Sequence, residues 1–115
     1  RQALKRWFTD QYLEKNLNIF EKITSILIQN NMENFLKIYE LFVKHKDDEK
    51  FENIKSKTLI MTGENDIGST PEMSRNLSKE IAHSKVEIVS QGKHLCGIEY
   101  ADDVNKTIKE FIQND

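Results

Sequence analysis

This 115-residue chain is predicted to fold as α/β, with a helical first half followed by a parallel β-α-β-α unit. Three features carry that expectation. Residues 1 to about 50 place apolar side chains at helical spacing and contain no strand candidate. From about Phe51, two short apolar runs, Thr58-Leu59-Ile60-Met61 and Val86-Glu87-Ile88-Val89, alternate with amphipathic segments. No hairpin signal joins the runs, so parallel pairing through a right-handed crossover is expected.

In the first half, Leu4, Trp7, Phe8 and Tyr12 recur at helical spacing. Leu13, Leu17, Phe20, Thr24 and Leu27 continue the pattern, as do Phe35, Ile38, Tyr39 and Phe42. Asn30-Asn31 reads as a break between helices, with Asn31 the N-cap of the second. Each helix would bury one face and solvate the other. The polar run from His45 to Lys50 reads as a surface connection or a frayed helix end. Domain boundaries follow: 1–50 as a helical segment and 51–115 as the β-α-β-α part.

In the second half, Leu59-Ile60-Met61 is short and continuous, as expected of a strand buried on both faces. Ser69-Thr70-Pro71-Glu72 is a helix start, with Thr70 or Ser69 as N-cap and Pro71 in the first turn. Met73, Leu77 and Ile81 repeat every four residues as one apolar stripe. A polar turn at His83-Ser84-Lys85 precedes the β-branched run Val86 to Val89. The last helix, Ala101 to Gln113, carries Val104, Ile108, Phe111 and Ile112 on one face. Asp102 and Asp103 near its start suit the positive end of its dipole.

Composition bounds the function. Hydrophobic residues make up 37% and charged residues 31%, a balance suited to helices with wide solvated faces or to a piece that expects more protein against it. The net charge of −2, with no like-charge block longer than Asp47-Asp48-Glu49, gives no surface for nucleic acid. No apolar stretch approaches the ~18 residues a membrane span requires, and Arg1 to Arg6 lacks the apolar core of a signal peptide. A single cysteine, Cys96, cannot form an internal disulfide, which points to a reducing, cytoplasmic setting. A first residue of Arg rather than Met points to a truncated or processed product.

The chemistry lies where the two apolar runs end. The first opens into Thr62-Gly63-Glu64-Asn65-Asp66 and the second into Gln91-Gly92-Lys93-His94. In a parallel sheet the carboxyl ends of the strands share one edge, so Asp66 and His94 could meet. A carboxylate on one imidazole nitrogen sets the tautomer and leaves the other nitrogen to take a proton from a nucleophile. Singly, each has a plain explanation, Asp66 as a turn aspartate and His94 as a loop histidine. Their joint placement counts against both. Cys96, two positions from His94, is poorly placed for in-line help from it as a nucleophile and fits a small buried thiol. His94-x-Cys96 has no second cysteine for a metal site, and His45 and His83 sit in unrelated contexts. One glycine in Gly63-Glu64-Asn65-Asp66 does not make a phosphate cradle.

Ile54 to Asp66, with Gly63-Glu64-Asn65-Asp66 at its end, resembles the penultimate-strand signature of α/β-hydrolases. Gln91-Gly92-Lys93-His94, followed by Glu99 and a closing amphipathic helix ending Glu110-Phe111-Ile112, is similar to that family's catalytic-histidine loop and last helix. The family's order of acid before histidine is kept. Arg6-Trp7-Phe8-Thr9, with Tyr12 and the helices that lead into the acid-bearing strand, looks like the lid of the 3-oxoadipate enol-lactonase branch. The resemblance covers about Ile54 to Ile112, half the chain, and the weaker likeness of the helical half implies that 1–50 is a lid, or cap, segment. Two departures stand outside the chemistry: Lys57 and Ala101 occupy positions where the family often has proline.

The resemblance implies a Ser-Asp-His triad with Asp66 and His94 in this chain, acting on a small ester or lactone such as 3-oxoadipate enol-lactone, with no cofactor and no metal. The chain contains no Gly-x-Ser-x-Gly, so the serine and oxyanion hole would belong to sequence not present here, and the chain alone is expected to be inactive. Apolar faces normally covered by the rest of such an enzyme are expected to drive self-association. The competing expectation is a non-catalytic α/β interaction module in which Asp66 and His94 are incidental.

Overall fold

Two β-strands, β1 (Thr58–Gly63) and β2 (Ser84–Val89), pair in parallel with Thr58 opposite Ser84 and Gly63 opposite Val89. This computed structural model describes residues 2–44 and 50–113; Arg1, the polar stretch from His45 to Glu49, and Asn114 and Asp115 lie outside the described residues. Helix α5 (Pro71–Glu80) makes the crossover between the strands. Thr70 caps it, its hydroxyl accepting from the Met73 N–H at 3.3 Å, and Pro71 stands in its first turn, where a missing N–H loses nothing. Both strand ends therefore point the same way, and the two turns that follow lie side by side.

The helical half is more broken than its periodicity suggests. Helix α1 (Gln2–Trp7) stops short of Phe8, and α2 (Asp10–Lys15) restarts after Thr9, whose side chain caps it by accepting from the Tyr12 N–H. A second break at Asn16 separates α3 (Leu17–Gln29), and α4 (Met32–Lys44) follows the expected break at Asn30-Asn31. Asn31 is the cap of α4, with its Oδ1 accepting from the Asn34 N–H at 2.9 Å. A 3₁₀ turn (Phe51–Asn53) leads into β1. Helices α6 (Cys96–Glu99) and α7 (Ala101–Gln113) end the chain, with Asp102 and Asp103 in the first turn of α7 as expected.

Burial corrects two expectations. Leu59, Ile60 and Met61 are only half-buried, because a two-stranded sheet leaves both faces of β1 partly open; burial is complete only at Thr62 and Gly63. Met73 does not belong to the inward stripe of α5. It is 57% exposed, while Ser74 is buried and Ile81 packs inward just past the helix end.

The principal apolar core is small and lies between helices and loop. Leu4, Phe8 and Leu13 are buried, with Trp7, Tyr12, Phe20, Ile23 and Leu95 packed around them. Phe8 and Tyr12 stack with ring centroids 5.3 Å apart. Leu95 belongs to the loop after β2, so this core joins the first helices to the turn that carries His94. By contrast α3, α4 and α7 contain no buried residue. The radius of gyration, 16.4 Å, exceeds the about 13 Å of a compact domain near this length.

Candidate active site

Asp66 and His94 meet at the carboxyl edge of the sheet, with His94 Nδ1 2.8 Å from Asp66 Oδ2. The approach begins with the strand register. Gly63 is the last residue of β1 and sits against the turn after β2. A Cβ on Gly63 would lie 2.4 Å from the Gly92 carbonyl oxygen, so only glycine permits the turns to touch. The Asn65 N–H then donates to the Gly92 carbonyl at 2.8 Å, and the Glu64 N–H donates to the Val89 carbonyl at 2.9 Å.

Side chains complete the junction. The Glu64 carboxylate accepts from the Gln91 N–H at 2.7 Å, and Asn65 Nδ2 donates to the Gln91 carbonyl at 3.2 Å. Gln91 itself is held at φ 58°, the left-handed region that non-glycine residues seldom occupy. Its amide and carbonyl are thus both gripped by the Glu64-Asn65 turn. Glu64 and Gln91 both stand in the turn motifs quoted from the sequence, but nothing in either segment announces that they are partners.

Asp66 is buried, and its two oxygens are divided between two tasks. Oδ1 accepts from the Gly68 N–H at 2.8 Å and the Ser69 N–H at 3.0 Å, while Oδ2 faces His94. Asp66 is therefore both a turn aspartate and the histidine's partner, and the two readings of the sequence hold together. Burial pushes its carboxyl upward; hydrogen bonds from the Ser69 backbone, the His94 ring and the Gly68 backbone, with the attraction of His94, together outweigh burial and hold the group below the ordinary carboxylate value. Thr62 braces the same loop, its hydroxyl donating to the Ser69 carbonyl at 2.6 Å. A carboxylate so held is an acceptor only, which makes His94 Nδ1 the donor.

The His94 side chain is 47% exposed, and Nε2 makes no hydrogen bond among the described residues. The ring is thus fixed at one nitrogen and open at the other. Its loop is fixed from the helical side as well. Lys93 Nζ donates to the Lys5 carbonyl at 2.7 Å and the Leu95 N–H donates to the Trp7 carbonyl at 2.9 Å. Further along, Glu99 takes both the N–H and the hydroxyl of Thr9. Glu99 was marked by resemblance alone; its partner lies 90 positions away and only the fold reveals it.

Cys96 is buried and unpaired, and burial pushes its thiol upward, away from the thiolate that a nucleophile requires. No group of three or more His, Cys, Asp or Glu side chains able to hold a metal occurs among the described residues.

No established family profile matches the chain. Among characterised proteins, 3-oxoadipate enol-lactonase 2 of Acinetobacter baylyi is 24% identical over 111 residues, which cover 96% of this chain and 41% of that protein. The (E)-2-((N-methylformamido)methylene)succinate hydrolase of the same organism is 23% identical over 114 residues, covering 96% and 42%. Among solved structures, the enol-lactonase from Burkholderia xenovorans LB400 matches with a TM-score of 0.90 and 26% identity, over 98% of this chain and 43% of that one. The chain spans about two fifths of the length of each of these relatives.

Proposed function

We propose that this chain, which has the fold of the C-terminal part of an α/β-hydrolase and resembles the 3-oxoadipate enol-lactonase branch, carries the acid and the base of a Ser-Asp-His triad. The observation that supports this reading is the 2.8 Å contact between His94 Nδ1 and Asp66 Oδ2, with the other side of the ring left open. In the complete enzyme a serine from sequence beyond this chain attacks the carbonyl of a small ester or lactone. His94 Nε2 takes the serine proton and then returns it to the leaving oxygen, while Asp66 stabilises the imidazolium between the two steps. Residues 1–50 are the lid segment over that site. Both relatives are named for compounds of dicarboxylate parentage, an oxoadipate and a succinate. By analogy, a small acyl compound of the same kind is this enzyme's substrate, an enol-lactone first among them. A non-catalytic interaction module gains no support from these relatives.

Two assays test the reading. The 115-residue chain is expected to leave small esters and lactones intact; turnover by it that disappears in His94→Ala would show that the chain needs no outside nucleophile. A polypeptide that extends the sequence upstream through a Gly-x-Ser-x-Gly segment is expected to hydrolyse them. In that protein His94→Ala and Asp66→Asn should each lower kcat by about 10⁴-fold or more. Undiminished kcat in either variant rules out the triad role.

Asp66 also predicts a pH dependence. Its folded carboxyl lies below the ordinary value, so its contribution to stability is full above about pH 4 and is lost as pH falls through the depressed value. Acid unfolding monitored by circular dichroism should be less steep in Asp66→Asn, which has no carboxylate to protonate.

A further inference from the structure

We propose that Glu99 is a positioning residue for His94: its carboxylate fastens the turn behind the histidine to Thr9 and so holds the imidazole against Asp66. The inference deepens the triad reading of Asp66 and His94 and rests on it.

Its basis is a strip of ties between two segments distant in sequence. The Lys5 carbonyl accepts from Lys93 Nζ at 2.7 Å, the Trp7 carbonyl accepts from the Leu95 N–H at 2.9 Å, and Thr9 donates to Glu99. Glu99 uses both carboxylate oxygens for this: Oε2 takes the Thr9 N–H at 3.0 Å and Oε1 takes the Thr9 hydroxyl. That hydroxyl is itself the cap of α2, accepting from the Tyr12 N–H at 3.2 Å. Glu99 thus closes a chain of bonds that fixes the start of α2 and the end of α6 together.

The tie reaches His94 through a stiff connection. Helix α6 is a single turn just after the histidine. The Ile98 N–H donates to the Leu95 carbonyl at 2.9 Å, the Glu99 N–H to the same carbonyl at 3.3 Å, and the Tyr100 N–H to the Cys96 carbonyl at 2.8 Å. Glu99 is therefore bonded through its own backbone to Leu95, the neighbour of His94. Leu95 also packs on Leu4, Phe8 and Leu13, but apolar contact is non-directional. Two charge-assisted bonds to one residue set a direction as well as a depth.

Glu99 has no competing task on the page of contacts around it. It is half-buried, and among the described residues no Lys, Arg or His forms an ion pair with it. It does not line the cavity that Asp66 and His94 share, so it does not meet a substrate there. The His94 side chain is 47% exposed and is bonded through Nδ1 alone among the described residues, so its loop backbone must supply the remaining restraint.

The test uses the polypeptide extended upstream through a Gly-x-Ser-x-Gly segment, with p-nitrophenyl acetate as the ester. Glu99→Ala is expected to lower kcat by about 10–100-fold, as displacement of a catalytic group does, while KM stays within about twofold. Glu99→Met, which keeps bulk and loses both acceptors, should behave alike and serves where the alanine variant does not fold. Thr9→Ser should keep the parent kcat and Thr9→Val should lower it. The double variant Thr9→Val with Glu99→Ala should be no slower than Glu99→Ala alone, because the two side chains act through one contact. The His94 Nδ1 proton, followed by NMR, should exchange with solvent faster in Glu99→Ala. Parent kcat in folded Glu99→Ala or Glu99→Met, or an effect on KM alone, overturns the positioning role; with His94→Ala inactive in the same assay, the triad reading stands. Parent kcat in His94→Ala overturns both.

Discussion

The two turns at the carboxyl edge of the sheet and the helix pair α3–α4 make opposite use of their surroundings. Between residues 62 and 69 and between 89 and 95, almost every polar group is spent within the chain: Glu64 on Gln91, Asn65 on Gly92 and Gln91, Asp66 on Gly68, Ser69 and His94. In α3 and α4 no residue is buried, and Ile38 and Phe42 are 69% and 76% exposed. The junction between the two turns, made of hydrogen bonds and a glycine contact, closes within this chain. An amphipathic helix face is complete only when something covers it.

The contrast can be broken from either side. The largest effect is expected at Phe8, which is fully buried at the joint between helices and His94 loop. Phe8→Ala should cost about 3–5 kcal/mol in chemical unfolding and should disorder the His94 signals, since Leu95 loses its anchorage. Gly63→Ala comes next. The added methyl meets backbone of Gly92 and Lys93, which cannot turn aside as a side chain could, so a loss of about 2–3 kcal/mol is expected, together with a longer Asp66–His94 separation in a crystal structure.

Gln91→Gly acts in the other direction. The position is left-handed, and the grip of Glu64 and Asn65 is on its backbone, which glycine keeps. A gain of about 0.5–1 kcal/mol is expected in the unfolding midpoint; a loss would show that the side chain, not the backbone, holds the turn. The smallest effect on stability is expected at Phe42→Glu, within about 0.5 kcal/mol of the parent. The proposed self-association of the chain through its open helix faces should weaken in that variant. Sedimentation of a monomer at all concentrations in the parent would refute that proposal.

Legibility in the sequence varied with the range of the interactions involved. Thr70 and Asn31 as caps, Pro71 in a first turn, the span of α7 and the presence of two strands could all be read directly, because caps and periodicities act over three or four residues. The expected turn at His83-Ser84-Lys85 is corrected, since β2 already begins at Ser84, where pairing with Thr58 extends the strand into polar residues. The breaks at Thr9 and Asn16 were missed because apolar spacing runs on across them; the spacing of Phe8 and Tyr12 fits one helix as well as two. The apolar stripe on α5 failed at Met73, which is exposed while Ser74 turns inward instead.

By itself the sequence determined the alternation of strand and helix, and with it the placement of an acid and a histidine at the same edge of a parallel pair. That follows from period and direction alone, since parallel strands must end on one side. Tertiary structure decided everything that joins residues far apart: the fit of Gly63 against Gly92, the hold of Glu64 on a left-handed Gln91, the tie of Glu99 to Thr9 and the tie of Lys93 to the Lys5 carbonyl. Each depends on a partner that no local pattern specifies, and each exists only after the strands have paired and the first helices have packed onto Leu95.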